Sequence, residues 1–156
     1  MKSILICCFL AAGVAWFICL TAGAVEKIAM RTLAKGAFSG VREAKQEVIK
    51  GQAAWDKFLS AHQANAKSAP QIPAVDFAKE MVIAVTMGRK SSGGYSIEII
   101  GVEAAANRLK ISVKRNSPVP GAITITALTA PFHFVAVHRS DLRPEFVDAP
   151  AAEKAR

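Results

Sequence analysis

The chain has 156 residues, 20 Lys and Arg against 12 Asp and Glu for a net charge of +8, and 52% hydrophobic residues. This length provides for one ordinary domain, which argues against a second catalytic lobe or a separate cofactor domain. Basic residues such as Lys110 and Lys114 alternate with apolar ones, and the chain has no recognised nucleic-acid reader motif. The charge pattern is typical of the solvated face of a sheet and argues against a nucleic-acid ligand.

The first 24 residues have the pattern of an export signal. Lys2 precedes an uncharged run, and Ala22 and Ala24 give the small-x-small pattern that signal peptidase accepts. An uncharged run of about 20 residues can also cross a bilayer as a helix. Residues 1–24 are therefore predicted to be a signal peptide or an uncleaved anchor helix. Both alternatives predict an exported domain, in the periplasm, the cell envelope or the extracellular space. It is expected to meet the membrane only through this segment, and only if the segment is uncleaved.

Cysteine usage agrees with an exported domain. All three cysteines, Cys7, Cys8 and Cys19, lie in the first segment, so the rest of the chain has no residue for a disulfide, a thiolate metal site or a cysteine nucleophile. Bulky Ile18 directly before Cys19 argues against lipid attachment at that cysteine.

The first half of the predicted domain is a strand followed by a helix. Residues 25–35 lack a clear period and are interpreted as a tether or an early helical turn, and residues 42–50 end in a β-branched pair that favours a first strand. A helix is predicted over residues 52–66, because apolar residues recur there at i, i+3, i+4 and i+7. This helix stripe consists of Trp55, Phe58, Leu59 and His62.

The second half alternates strands and turns. The apolar run 81–87 predicts a central strand, and the glycine- and serine-rich residues 88–94 predict a loop that closes a β-hairpin with residues 95–99. Gly101 indicates a bulge or bend. The remaining predicted strands are residues 109–113, 123–126 and 132–139.

This order of elements predicts the α+β class. We expect a strongly bent, barrel-like antiparallel meander covered by one helix and preceded by the N-terminal signal or anchor helix. The helix stripe should pack against Val82, Ile83 and Val85. The domain is predicted to span residues 36–147, and residues 148–156 are predicted to be a disordered tail because they are small and charged.

The residues available for chemistry do not predict an enzyme. A metal site would need converging ligands, and His133 and His138 are expected on opposite faces of one strand. A hydrolytic triad could be assembled only from Ser91 or Ser92 with His133 and Asp76, and none of these lies in a nucleophile-elbow pattern. No catalytic residue, metal or cofactor is therefore predicted. Residues 89–95, basic and ending in an aromatic residue, favour a binding loop, although a simple turn is an equal alternative.

Several short motifs occur in a characteristic order: residues 75–83, Gly88, residues 92–95, residues 118–121 and residues 129–133. Together they resemble the C-terminal domain of the PrcB family, a protease-complex subunit, over roughly residues 38–146. The family usually has threonine where this chain has Ser92. Its members are often lipoproteins, a mode of anchoring that is not expected here because bulky Ile18 precedes Cys19. The resemblance implies an accessory role in binding a protease of the cell envelope or its precursor, and it implies no catalytic residues.

Two functions follow as hypotheses. The first is a secreted or envelope protein-binding module that stabilises a bacterial protease complex, and the alternative is a peptidase inhibitor whose loops plug a protease cleft. The first places the contacts on two loops, residues 89–95 and 129–132, that form one binding edge, whereas the second uses several loops. The predicted contact residues are Arg89, Ser91, Ser92, Gly93, Gly94, Tyr95, Thr129, Pro131 and Phe132.

Overall fold

The computed structural model describes residues 25–64 and 71–149. Over these residues the chain forms eight β-strands and one α-helix, which confirms the α+β class. The elements are β1 Glu26–Lys27, β2 Met30–Gly36, β3 Ala44–Ile49, α1 Gln52–Gln63, β4 Glu80–Met87, β5 Ser96–Ala105, β6 Arg108–Asn116, β7 Phe132–His138 and β8 Arg143–Asp148.

The strands form two four-stranded sheets. The middle sheet has the order β2-β7-β4-β3 and the outer sheet the order β1-β5-β6-β8. All pairs are antiparallel except β6 and β8, which run parallel. The expected single, barrel-like sheet is wrong, because the strands divide between two open sheets. The reason lies in β4, where residues 81–86 are all buried: a strand buried on both faces needs a layer on each side.

The molecule therefore has three layers, with the middle sheet between α1 and the outer sheet. One face of the middle sheet packs on Trp55 and Phe58 of α1, and it presents Leu33, Ala34, Val82, Ala84, Phe132, Phe134 and Ala136. Its other face packs on the outer sheet and presents Met81, Ile83, Val85, Val135 and Val137. The predicted packing of the helix on Val82 is confirmed, whereas Ile83 and Val85 belong to the other core, since side chains alternate along a strand.

The helix stripe was predicted correctly. Trp55, Phe58 and His62 are buried on α1, and Leu59 is partly buried against the same core. The bulge near Gly101 is also confirmed, as the β5–β6 register shifts between Ile99 and Gly101.

Four segments differ from the expectation. Residues 25–35 contain β1 and most of β2 instead of a tether, and residues 123–126 form no strand. The expected hairpin of strands 81–87 and 95–99 is wrong, because β4 and β5 belong to different sheets and the segment 88–95 crosses between them. β8 was not predicted and runs through Asp148, so ordered structure extends into the expected tail.

The N-terminal signal or anchor helix, residues 1–24, lies outside the described residues. Among those described, α1 is too short and too polar to span a membrane, and no other helix is present.

Candidate functional site

The two segments that the sequence singled out lie together at one end of the molecule. The Lys90 amide donates to the Thr129 carbonyl at 2.7 Å, and the Thr129 amide donates back to Lys90 at 3.0 Å. The Thr129 hydroxyl donates to the Ser92 carbonyl at 2.8 Å, and the Gly93 amide donates to the Ile125 carbonyl at 3.0 Å. These bonds tie the crossing segment 88–95 to the segment 117–131.

A third segment, residues 37–42, joins them. The Ala130 amide donates to the Ala37 carbonyl at 2.7 Å, and the Arg89 amide donates to the Arg42 carbonyl at 3.0 Å. Sequence reasoning missed this segment because nothing local in residues 37–42 indicates which distant loops it contacts.

Glycines allow the crossing segment to turn so tightly. Gly88 and Gly94 have φ angles of 68° and 84°, in the left-handed region that other residues rarely adopt. A Cβ on Gly88 would also lie 2.8 Å from the Ala44 amide nitrogen, and one on Gly94 would lie 3.1 Å from Pro118. The glycine-rich loop predicted over residues 88–94 therefore turns at these two glycines.

The predicted contact residues divide into two groups by burial. Arg89, Ser91 and Gly94 are exposed, and Ser92 and Tyr95 are half-buried; the buried members are Gly93, Thr129, Pro131 and Phe132. Phe132 belongs to the core beneath α1, with its ring 4.4 Å from the His62 ring. The buried residues thus hold the loops in place, and the first five are those that a partner could touch.

The surface also carries exposed apolar side chains that the sequence did not single out. Phe38 and Leu128 are 60% and 58% exposed, and Ile123 is fully exposed. Val119 and Ile125 are likewise exposed. Most of these side chains lie in residues 117–131, which contain no charged residue, and this feature could have drawn attention to them. The alternating Ile and Thr residues of 123–126 favoured a strand instead.

Four of these side chains, Phe38, Leu128, Val119 and Ile123, line two clefts. The first cleft, with a volume of about 220 Å³, is lined by Phe38, Ser39, Gly40, Arg42, Arg89, Leu128, Thr129 and Ala130. The second, of about 760 Å³, is lined by Gly94, Lys114, Arg115, Asn116, Ser117, Pro118, Val119, Ala122, Ile123 and Thr124. Each cleft combines exposed apolar side chains with two cations, and none of these lining residues is acidic.

The only triad that the sequence allowed is not assembled. His133 Nδ1 accepts a hydrogen bond from the Ile99 amide at 2.9 Å, and its Nε2 lies 3.2 Å from the Thr32 hydroxyl. Asp76 accepts from the Ala78 amide at 3.0 Å and so brackets the start of β4. The histidine and the acid therefore serve the fold at separate places, apart from Ser92.

His133 is held neutral by these surroundings. Since its Nδ1 accepts a backbone N–H, the proton lies on Nε2, which donates to Thr32. Burial lowers the pKa of His133, the cation of Lys35 lowers it further, and Glu98 opposes both. Within the described residues, His, Cys, Asp and Glu side chains form no group of three that could hold a metal ion.

The comparisons with known proteins give one match. The family model described as PrcB C-terminal matches residues 81–138, a range that runs from β4 to the end of β7 and includes both predicted binding segments. The chain matches no curated protein and no solved structure.

Proposed function

The chain belongs to the PrcB family through residues 81–138, and from this we propose that it is an exported protein-binding module, an accessory subunit that stabilises a protease complex of the cell envelope. The family is a protease-complex subunit and not itself a catalytic family. The proposed partner is a protease or its precursor. The proposed location is the periplasm, the cell envelope or the extracellular space, because residues 1–24 have the pattern of an export signal.

The observation that carries this proposal is the loop cluster within the matched range. Segments 88–95 and 117–131 are joined by backbone hydrogen bonds, and exposed apolar side chains border them. Exposed apolar patches on a rigid scaffold mark binding surfaces. We propose Arg89, Ser91, Ser92, Gly94 and Tyr95 as contacts, supported from beneath by Gly93, Thr129, Pro131 and Phe132.

The proposal is tested by capture from the native envelope fraction with the tagged full-length chain. A peptidase should co-purify, and adding the chain should lengthen the half-life of its activity. A variant with Ser91→Glu and Ser92→Glu should lose both effects, because it introduces two charges into the contact loop. The matched control carries Ser60→Glu and Gln63→Glu on the exposed face of α1 and should behave as the wild type. Capture of no peptidase by the wild type would refute the accessory role.

The inhibitor hypothesis is favoured by one observation, that three loops cluster at the same end of a β-scaffold. Three adjacent loops of this kind could insert together into the active-site cleft of a protease. The same assay separates the two functions, because an accessory subunit leaves the initial rate of the captured peptidase unchanged, whereas an inhibitor lowers that rate at stoichiometric excess.

A further inference from the structure

We infer that the partner presents an acidic, apolar stretch of polypeptide to the loop cluster, with its apolar side chains entering the two clefts and its carboxylates meeting the cations beside them. This inference rests on the proposed function and adds the chemistry of the partner surface. It identifies the contact surface as residues Phe38, Arg42, Arg89, Lys114, Val119, Ile123, Ile125 and Leu128.

The apolar part of the inference follows from exposure. Phe38 and Leu128 line the first cleft and Val119 and Ile123 the second, and all four are exposed. Exposed Ile125 follows Thr124 of the second cleft in sequence and lies beside Gly93, where an added Cβ would come within 2.6 Å of its side chain. Single exposed apolar residues are ordinary, but a contiguous group is typical of an interface.

The acidic part follows from the ion pairs. The two clefts are lined by cations and by no acidic residue. At the other end of β6, by comparison, Arg108 pairs with Glu145 at 3.1 Å and Lys110 with Glu103 at 3.7 Å. In contrast, Arg42, Arg89 and Lys114 have no ion-pair partner among the described residues. Unmatched cations beside apolar clefts select a partner of opposite charge.

The shape of the surface favours a polypeptide over a lipid bilayer. The surface has hollows as well as exposed side chains, and clefts of about 220 and 760 Å³ can receive side chains from a polypeptide, whereas a flat bilayer surface would leave them unfilled. The cations also lie in the cleft walls next to the apolar side chains, where carboxylates within the same segment can reach them. Binding to an anionic membrane is therefore a competing outcome of the test and not part of the inference.

The test measures fluorescence anisotropy of short labelled peptides with the full chain. A peptide alternating Leu and Glu should bind, and peptides with Lys in place of Glu or Ser in place of Leu should bind at least about tenfold more weakly. Arg42→Glu with Arg89→Glu should weaken the Leu/Glu peptide about tenfold. Ile123→Ser with Leu128→Ser should do the same without lowering the melting temperature.

The matched control is Lys45→Glu with Lys57→Glu, two exposed cations outside both clefts that also form no ion pair within the described residues, and it should leave peptide affinity unchanged. Equal binding of the Glu and Lys peptides, or equal effects of the test and control variants, would overturn the inference. The inference would also be overturned if the wild type bound phosphatidylglycerol vesicles, the test variants did not, and no peptide bound to any of them.

The two proposals fail in distinguishable ways. If the wild type and the Arg42→Glu, Arg89→Glu variant capture the same envelope peptidase equally, the accessory function stands and this surface is wrong. If the Leu/Glu peptide binds as expected but no peptidase is captured, the surface stands and the accessory function is wrong.

Discussion

Gly40 shows how a single residue positions the contact surface. Its amide donates to the His62 carbonyl at 2.6 Å, and a Cβ at this position would lie 2.3 Å from the carbonyl oxygen of Ala61. That oxygen belongs to the helix backbone, which cannot move aside as the end of a flexible side chain could. Gly40 therefore brings the segment 37–42, with Phe38 and Arg42, directly against the last turn of α1.

Gly40→Ala is expected to lower the free energy of unfolding by about 1–3 kcal/mol, the usual cost of forcing added volume into a packed site. Urea unfolding measures the change. The control is Gly101→Ala, where an added Cβ has no atom within 4 Å and stability should be nearly unchanged. Equal stability of the two variants would show that the segment 37–42 is not docked on α1 as described.

Helix α1 shows how one element covers one face of the middle sheet. Trp55 stacks on Phe58 with ring centroids 5.8 Å apart, and both rings make T-shaped contacts with the ring of Phe134 on β7. The periodicity of the helix stripe was sufficient to predict these inward-facing residues. It could not predict the partner residues, because those lie on a strand about 80 positions later in the chain.

Trp55→Ala is expected to cost about 3–5 kcal/mol, since it removes a large buried ring and leaves a cavity. A loss of that size unfolds a substantial share of a domain of ordinary stability. Thermal and urea unfolding provide the measurement, with Lys57→Ala on the exposed face of α1 as the control. An unchanged melting temperature for Trp55→Ala would contradict the docking of α1.

At the scale of the whole molecule, each of the two interfaces between layers contains a buried histidine. His62 lies between α1 and the middle sheet with its Nδ1 2.8 Å from the Ser39 hydroxyl, and its Nε2 has no hydrogen-bond partner among the described residues. His133 lies between the two sheets and binds the Ile99 amide. Burial lowers the pKa of both histidines below the ordinary value of 6.5.

Acid is therefore expected to weaken both interfaces. Because their pKa values are lowered, His62 and His133 take up protons at a lower pH in the folded chain than in the unfolded chain, where histidines bind protons below about pH 6.5. The free energy of unfolding should be fully retained above that pH and should fall as the pH is lowered through it, by at most about 1.4 kcal/mol per pH unit for each histidine. Urea unfolding at about pH 7.5 and about pH 5.5 measures the difference.

His133→Gln should reduce this pH dependence, and His138→Gln, at an exposed position of the same strand, should not. Glu98 does not contribute to the difference between about pH 7.5 and about pH 5.5. The hydrogen bond from Lys35 lowers the pKa of Glu98 from 4.5, so the stability linked to Glu98 is lost only at more acidic pH. The same slope in the wild type and in both variants would contradict the assignment.

The sequence by itself determined the features that depend on neighbouring residues: the helix stripe of α1, the buried strand β4, the bulge in β5 and the glycines that turn the segment 88–95. Periodicity and local backbone conformation are properties of a short stretch, and they were readable from it. The order of the motifs likewise indicated the PrcB family.

Only the tertiary structure decided which sheet each strand joins, the parallel pairing of β8, and the assembly of the candidate surface from three separate segments. Residues 123–126 have the alternation of a strand but form none, because a strand also needs a partner with free backbone groups. Such partners lie far away in sequence and are selected by how the whole chain buries its apolar faces, which no local pattern records.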